Sequence, residues 1–331
     1  MGRLPYLRSL NGMRITIVTP APTGSTHGNR ITAIRWASIL KQLGHRVSIC
    51  QSFDHQRTDL LIALHARRSY TSIKHFHRQY VEAPIVLALT GTDVYRDLKY
   101  DPRARKAVAM ALRIVVLQPK ALEQLHDSFR AKARVIYQSV ETDARLYSGS
   151  STRQSFDVCV IGHLRSIKDP FRAAMAARLL PHSSRIRIRH IGGAMTKAMA
   201  TRAHSEATRN HRYQWYGELA GSRAQRILAA SQICVLSSQM EGGANVLSEA
   251  IVAGVPILAS RIDGNVGILG PDYPGLFNVG DTCELARLLN LAETDTDFLS
   301  DLRRRVKKLA PLFSPKRERQ AWTDLLRELQ V

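Results

Sequence analysis

The chain alternates short runs of branched apolar residues with amphipathic stretches, and it does so twice. Arg14-Ile-Thr-Ile-Val18, Val47–Cys50, Leu60-Leu-Ile-Ala-Leu64, Ile85–Leu89, Arg113–Leu117 and Arg134–Tyr137 have the length and composition of buried strands. Helical stretches lie between them, among them Asn29 to Leu43, closed by Gly44, and Ser69 to Tyr80. Short strands that are apolar on both faces, each followed by a helix, pair in parallel under helices on both sides. The pattern pauses at Ser148-Gly-Ser-Ser-Thr152. It restarts with Phe156–Ile161, Ile186–Ile191, Tyr213–Tyr216, Ile233–Leu236 and Val255–Ala259. An α/β protein with two doubly wound parallel-sheet, Rossmann-like domains facing a cleft is therefore expected. The domains would span residues 13–150 and 151–314, behind a disordered extension over 1–12. Residues 315–331, rich in Glu, Arg and Leu, predict a C-terminal helix able to pack back on the N-terminal domain. Ligands of such sheets bind at the carboxyl ends of the strands, and a cleft between domains is a natural site.

Composition narrows the partners. The 331 residues suffice for two cores. No apolar run approaches the roughly 20 residues needed to span a bilayer, and Met1–Gly12 lacks the apolar core of a signal peptide. A cytoplasmic protein without stable membrane insertion is expected. The four cysteines, Cys50, Cys159, Cys234 and Cys283, are far apart in sequence and predict buried free thiols, with no metal site among them. The net charge of +21 calls for anionic partners. Nucleic acid is not the expected one: Lys and Arg are dispersed, with short clusters at Arg303–Arg305 and Arg185–Arg189, and no zinc-finger, RRM or KH signature is present.

The densest chemistry lies in Glu241-Gly-Gly-Ala-Asn-Val-Leu-Ser-Glu249. A strand, Ile233–Leu236, runs into Ser237-Ser238. Gly242 and Gly243 then leave the backbone open to a ligand, and a helix starts near Asn245 and stops at Gly254. The free N–H groups at such a helix start form a phosphate cradle, and Glu249 lies about one turn inside. Three further groups follow strand ends in the first half: the loop Gly24, Ser25, Thr26, His27, Gly28, Asn29, Arg30; then His65 with Arg67 and Arg68; then Thr90, Gly91, Thr92 and Asp93. Three basic side chains plus hydroxyls at strand ends suit a small phosphate-like acceptor. Asp295-Thr-Asp297 mimics a metal-binding Asp-X-Asp, but it opens a predicted helix, where acids suit the first turn.

The ordered series Gly162-His-Leu-Arg165…Lys168, Tyr216-Gly217, Ser237-Ser238, Glu241-Gly242, Glu249-Ala250, Gly254-Val-Pro256, Gly264-Asn265 and Gly280-Asp281 resembles the retaining, nucleotide-sugar-dependent glycosyltransferases of family 4, which have the GT-B fold. The resemblance covers residues 156–282. It implies that Glu249 accepts hydrogen bonds from the donor ribose and that Glu241 serves at the donor sugar. The amides of Gly242, Gly243, Ala244 and Asn245, with Gly217 and Val246, would line the diphosphate and sugar site. Lys168 would neutralise the diphosphate. The family's arginine directly after the glycine is His163 here, and Arg165 would supply that charge instead. With Lys168, Arg165 and a helix N-terminus at the leaving group, no metal cofactor is called for.

Leu64-His-Ala-Arg-Arg-Ser69, Leu89-Thr-Gly-Thr-Asp93 and Lys168-Asp-Pro170 are similar to the selenosugar synthase subgroup of that family. This implies a UDP-sugar such as UDP-N-acetylglucosamine as co-substrate and selenophosphate as acceptor, giving a 1-seleno sugar, UDP and phosphate. Glu241, Lys168, Arg165, His65 and Asp93 are then the candidate catalytic residues, with His65 or Asp93 guiding Se–P hydrolysis. The acceptor would rest on Gly24 to Arg30, Arg67, Arg68 and Thr90 to Thr92. The residues alone leave open an ordinary family-4 enzyme acting on a lipid or polysaccharide, a related sugar epimerase, and a nucleic-acid-binding α/β protein.

Overall fold

The computed structural model describes residues 12–54, 56–141 and 155–329. The disordered extension expected over 1–12 lies outside the described residues except for Gly12, as does the linker expected at 148–152. The chain divides into two compact units, Met1–Gln138 with Pro315–Val331, and Ser139–Ser314.

In the first unit, strands β1 (Arg14–Val18), β2 (Arg46–Cys50), β3 (Leu60–Leu64), β4 (Ile85–Leu89), β5 (Arg113–Val116) and β6 (Ala133–Val135) form one sheet in the order β2-β1-β3-β4-β5-β6. Every pairing in it is parallel. Its helices are α1 (Gly28–Gln42), α2 (Tyr70–Gln79), α3 (Leu98–Tyr100), α4 (Pro102–Met110) and α5 (Asp127–Arg130). All residues of β3 and β4 are buried, as the continuous apolar runs require. Helix α1 buries Ala33, Trp36, Ala37 and Leu40, spaced as one helical face.

The second unit repeats the plan. Strands β7 (Phe156–Ile161), β8 (Ile186–Ile191), β9 (Tyr213–Trp215), β10 (Ile233–Leu236), β11 (Ile257–Ser260) and β12 (Leu276–Phe277) form a second sheet in the order β12-β11-β10-β7-β8-β9. It too is parallel at every pairing. The helices are α6 (Arg172–Ala177), α7 (Lys197–Arg209), α8 (Gly221–Ala229), α9 (Asn245–Val252), α10 (Asp263–Leu269), α11 (Thr282–Thr294) and α12 (Thr296–Leu309). The two doubly wound parallel sheets agree with the fold class read from the alternation.

Several element bounds differ from that reading: β6 ends at Val135 rather than Tyr137, and β9 at Trp215 rather than Tyr216. The edge strand β12 has two residues, too few for any apolar period to reveal. Strand β11 begins at Ile257, two residues later than the apolar run suggests, because the chain before it caps α9. Gly254, at φ +67, donates to Ile251 O at 3.1 Å, and Val255 N donates to Ala250 O at 2.9 Å. This paired closure satisfies the last carbonyls of the helix.

The last helix, α13 (Pro315–Glu328), belongs to the first unit. Its Trp322 meets Trp36 of α1 edge-on, with ring centroids 4.9 Å apart. Glu318, buried, accepts from Trp36 Nε1 at 2.8 Å and from Arg35 Nε at 3.3 Å. Glu328 binds Arg113 and Arg134 at the β5–β6 edge, each at 2.8 Å. A carboxylate taken out of water keeps its charge only with such partners.

Candidate active site

In each sheet the strand order reverses direction at one place, between β1 and β3 in the first and between β7 and β10 in the second. The crevice beyond the carboxyl ends of those strands is where an open α/β sheet binds ligands. The loops there are Thr19–His27 and His65–Ser69 in the first unit, and Gly162–Lys168 and Ser237–Ala244 in the second. These are the segments singled out from the sequence.

In the second unit, one pocket is lined by Gly162, Lys168, His190, Ser238, Glu241 and Val246, among others. Lys168 Nζ donates to Glu241 Oε1, which also accepts from Ser238 Oγ at 2.6 Å. Ser237 Oγ ties the Lys168 loop down by donating to Asp169 O at 2.8 Å. Arg165 is exposed and its side chain makes no ion pair with another described residue. Gly242, Gly243 and Ala244 lead into α9, whose first residue is Asn245. The residue before it, Ala244, has no side-chain oxygen with which to cap that helix start. Glu249 stands half-buried one turn on; its charge adds to the upward push that burial gives the Cys159 and Cys234 thiols, the former to about 12. These cysteines face each other in register across β7 and β10 and are free. Cys283 is exposed and Cys50 half-buried, which corrects the expectation of four buried thiols.

Three residues of this site were not singled out as site residues. Ser238, like Gly264, stands in the motif series without a role assigned to it. Gly264 lies in the first turn of α10, and a Cβ there would lie 2.0 Å from Glu241 O, so only glycine lets that helix approach the loop. His190, on β8, has no motif signal at all. It is buried, its Nδ1 pairs with Tyr213 OH at 2.9 Å and its Nε2 meets Gly162 O at 3.2 Å. Burial drives its pKa down to about 4. Gly217, at φ +67, offers its carbonyl to Gly192 N at 2.7 Å and so shapes the same rim.

In the first unit, Gly24 turns the loop at φ +78, and Ser25 donates through both N and Oγ to Pro22 O. Thr26, His27, Gly28 and Asn29 carry it into α1, which has no acidic residue in its first turn. Arg30 follows. Its Nε and Nη1 are buried with no hydrogen-bond partner. Two buried, unsatisfied guanidinium donors cost free energy that an incoming oxyanion would return.

The other strand ends are more self-contained than expected. Asp93 is fully buried and both its oxygens are taken by backbone: Oδ1 accepts from Thr90 N at 2.9 Å and Gly91 N at 2.8 Å, and Oδ2 accepts from Ala66 N at 3.1 Å. This corrects its place among the catalytic candidates, since a carboxylate saturated by amides clamps two loops and offers no oxygen to a substrate. Arg67 Nε donates to Asp97 Oδ2 at 2.8 Å, so most of its charge is answered within the protein. Asp97, one turn after Asp93, joins this cluster through Arg67 and carries no motif signal in the sequence. Arg68 is exposed. His65 is buried at φ +74, with Nε2 3.0 Å from Thr92 Oγ1. Burial, first among the causes, pushes its pKa down.

Among the described residues no group of three or more His, Cys, Asp or Glu side chains is placed to hold a metal ion. Asp295 caps α12, accepting from Asp297 N at 2.9 Å and Phe298 N at 3.0 Å. No helix among the described residues is long and apolar enough to cross a membrane.

Residues 149–311 match the protein family Glycosyl transferases group 1. No curated protein matches the chain in sequence. Among similar solved structures is Anabaena HepE in complex with UDP and glucose, at a TM-score of 0.74 and 18% identity, covering 96% of this chain and 100% of that one. A sucrose-phosphate synthase from Thermosynechococcus elongatus has a TM-score of 0.74 and 15% identity, covering 96% and 99%. An E. coli structure described as trehalose-6-phosphate bound with UDP-2-fluoro glucose has a TM-score of 0.72 and 11% identity, covering 96% and 99%. These likenesses establish the GT-B fold.

Proposed function

We propose that this protein transfers a sugar, N-acetylglucosamine, from a UDP-sugar to selenophosphate. The C1–O bond to UDP breaks as the C1–Se bond forms, and water then cleaves the Se–P bond. The products are a 1-seleno sugar, UDP and phosphate. Donor chemistry is supported by the group 1 domain over residues 149–311 and by the UDP and UDP-glucose complexes of HepE. In this reading Glu249 holds the ribose. The amides from Gly242 to Asn245 with Lys168 and Arg165 take the diphosphate, and Glu241 serves the sugar. Charge building on the departing phosphate meets fixed cations and helix amides, which lowers the barrier without reorganisation.

The observation that carries the acceptor assignment is the orphaned guanidinium of Arg30 at the entry to α1. A small oxyanion with several acceptor oxygens satisfies such donors with stronger, charge-assisted hydrogen bonds than a neutral hydroxyl can offer. Mass spectrometry of reactions with several UDP-sugars, with and without selenophosphate, tests the reading. Thiophosphate and phosphate serve as competitors. A selenosugar formed only with selenophosphate is expected. Consumption of the UDP-sugar with no acceptor present would instead point to an epimerase.

A lipid or polysaccharide acceptor is the second reading. Ile31 and Ile34, exposed by 39% and 52% on α1 beside the acceptor loop, favour it. Pelleting with anionic vesicles and retention of the pellet at moderate salt would support this alternative.

A further inference from the structure

We infer that His65 is a positioning residue that fixes the Thr92 hydroxyl as a hydrogen-bond donor to the anionic acceptor; the inference rests on the acceptor reading given for the first domain.

His65 directly follows β3 and holds a backbone φ of +74, a region that side-chain-bearing residues avoid. It is kept there from both sides. Its N–H donates to Ala88 O of β4 at 2.9 Å, and its carbonyl accepts from Ser69 N at 3.0 Å. Strain of this kind persists only where the surroundings over-determine it, and it gathers at functional sites. The ring is equally constrained. Nδ1 accepts from Arg68 N at 3.4 Å, so it carries no proton. The proton of the neutral imidazole is therefore on Nε2, 3.0 Å from Thr92 Oγ1.

Burial favours the neutral ring, with Arg68 and Arg67 acting in the same direction against the Asp93 and Asp97 carboxylates. A neutral ring whose Nε2–H is donated and whose Nδ1 is occupied has no atom left for acid–base work on a substrate. Its effect is passed on instead. Once Thr92 Oγ1 accepts from His65, its own hydroxyl proton points elsewhere. Thr92 is half-buried, next to the clamp that Asp93 makes with Thr90 and Gly91. A hydroxyl that accepts one hydrogen bond becomes a better donor of the next, and an oxyanion is the partner that gains most from it.

The test uses the full chain and the variants Thr92→Val, Thr92→Ser and His65→Asn, asparagine being the side chain that best tolerates this backbone. Steady-state kinetics with UDP-N-acetylglucosamine and selenophosphate are compared with thiophosphate binding followed by phosphorus NMR. Thr92→Val is expected to raise the KM for selenophosphate by about 10- to 100-fold, the range for losing a hydrogen bond to a charged group. The donor KM should not move, and Thr92→Ser should restore the wild-type value. Adding Thr92→Val to His65→Asn should change little, as expected of two residues acting as one unit.

An unchanged acceptor KM in Thr92→Val, or fully additive effects of the two substitutions, overturns the inference. If the wild type binds thiophosphate and Thr92→Val does not, yet no selenosugar forms, the inference stands and the acceptor identity is wrong. If the wild type binds no phosphate-like anion, both fall. Thermal melting separates these outcomes from misfolding, and Thr92→Ser serves as the folded control.

Discussion

Lys168 and Glu241, two of the charged side chains proposed to act on the donor, are paired with each other, Nζ to Oε1. Both are only partly exposed, by 24% and 12% at the side chain. A nucleoside diphosphate entering this pocket must take Lys168 from Glu241, so the pair holds the cation in place while the site is empty and competes with the ligand for it.

Glu241→Gln removes the competing charge. UDP should bind as tightly as to the wild type or more so, while sugar transfer falls. Lys168→Ala should weaken UDP by about 10- to 100-fold, the usual cost of a charged hydrogen bond. Calorimetric titration with UDP measures both, and weaker UDP binding in Glu241→Gln would refute the competition.

Gly264→Ala places a Cβ 2.0 Å from Glu241 O, against backbone rather than the far end of a flexible side chain. Overpacking of this kind costs about 1–3 kcal/mol. The relief available is a shift of the Glu241 loop, so the donor KM should rise along with the loss in urea midpoint. Gly254→Ala, strained at φ +67 but open within 4 Å, should lower stability and leave the donor KM unchanged. Equal donor KM values for the two variants would remove Gly264 from the site.

Trp322→Ala opens a cavity against Trp36 and should cost about 3–5 kcal/mol in the unfolding of the first unit. Trp322→Phe keeps most of the packing and discards an Nε1–H that is buried without a partner, so it should cost far less. Urea denaturation with a probe in the first unit reads both. Comparable losses in the two variants would show that the ring's volume is not what holds α13.

Stability should fall as pH drops from about 7 toward 4. The folded pKa of His190 is held near 4 by burial, below the 6.5 of the unfolded chain. Between those values the unfolded state binds the extra proton, so the stability present above pH 6.5 is lost on acidification. The full span amounts to about 3 kcal/mol at 1.36 kcal/mol per unit. Buried His45 and His65, also lowered, add to the same trend. Urea midpoints from pH 7.5 to 5 test it: His190→Gln should flatten the slope, and an unchanged slope would contradict the assignment.

Much of the molecule could be read from local sequence. Strands apolar on both faces, as in Leu60–Leu64, have one home, the middle of a parallel sheet, so the local run determines both element and layer. The loop from Glu241 to Glu249 was legible because its glycines, helix start and carboxylates are consecutive. What stayed hidden were relations between residues distant in the chain. Gly264 touches Glu241, His190 supports Gly162, and Glu318 meets Trp36 from 282 residues away in the chain. Asp93 shows the limit most clearly. A carboxylate at a strand end looks reactive in sequence, yet amides from two loops saturate it in the fold. Local sequence determines which backbone shape and which side of a sheet a segment takes, because propensity and apolar period act over a few residues. Which polar groups remain free for chemistry depends on partners that folding brings from elsewhere, and that only the tertiary structure decides.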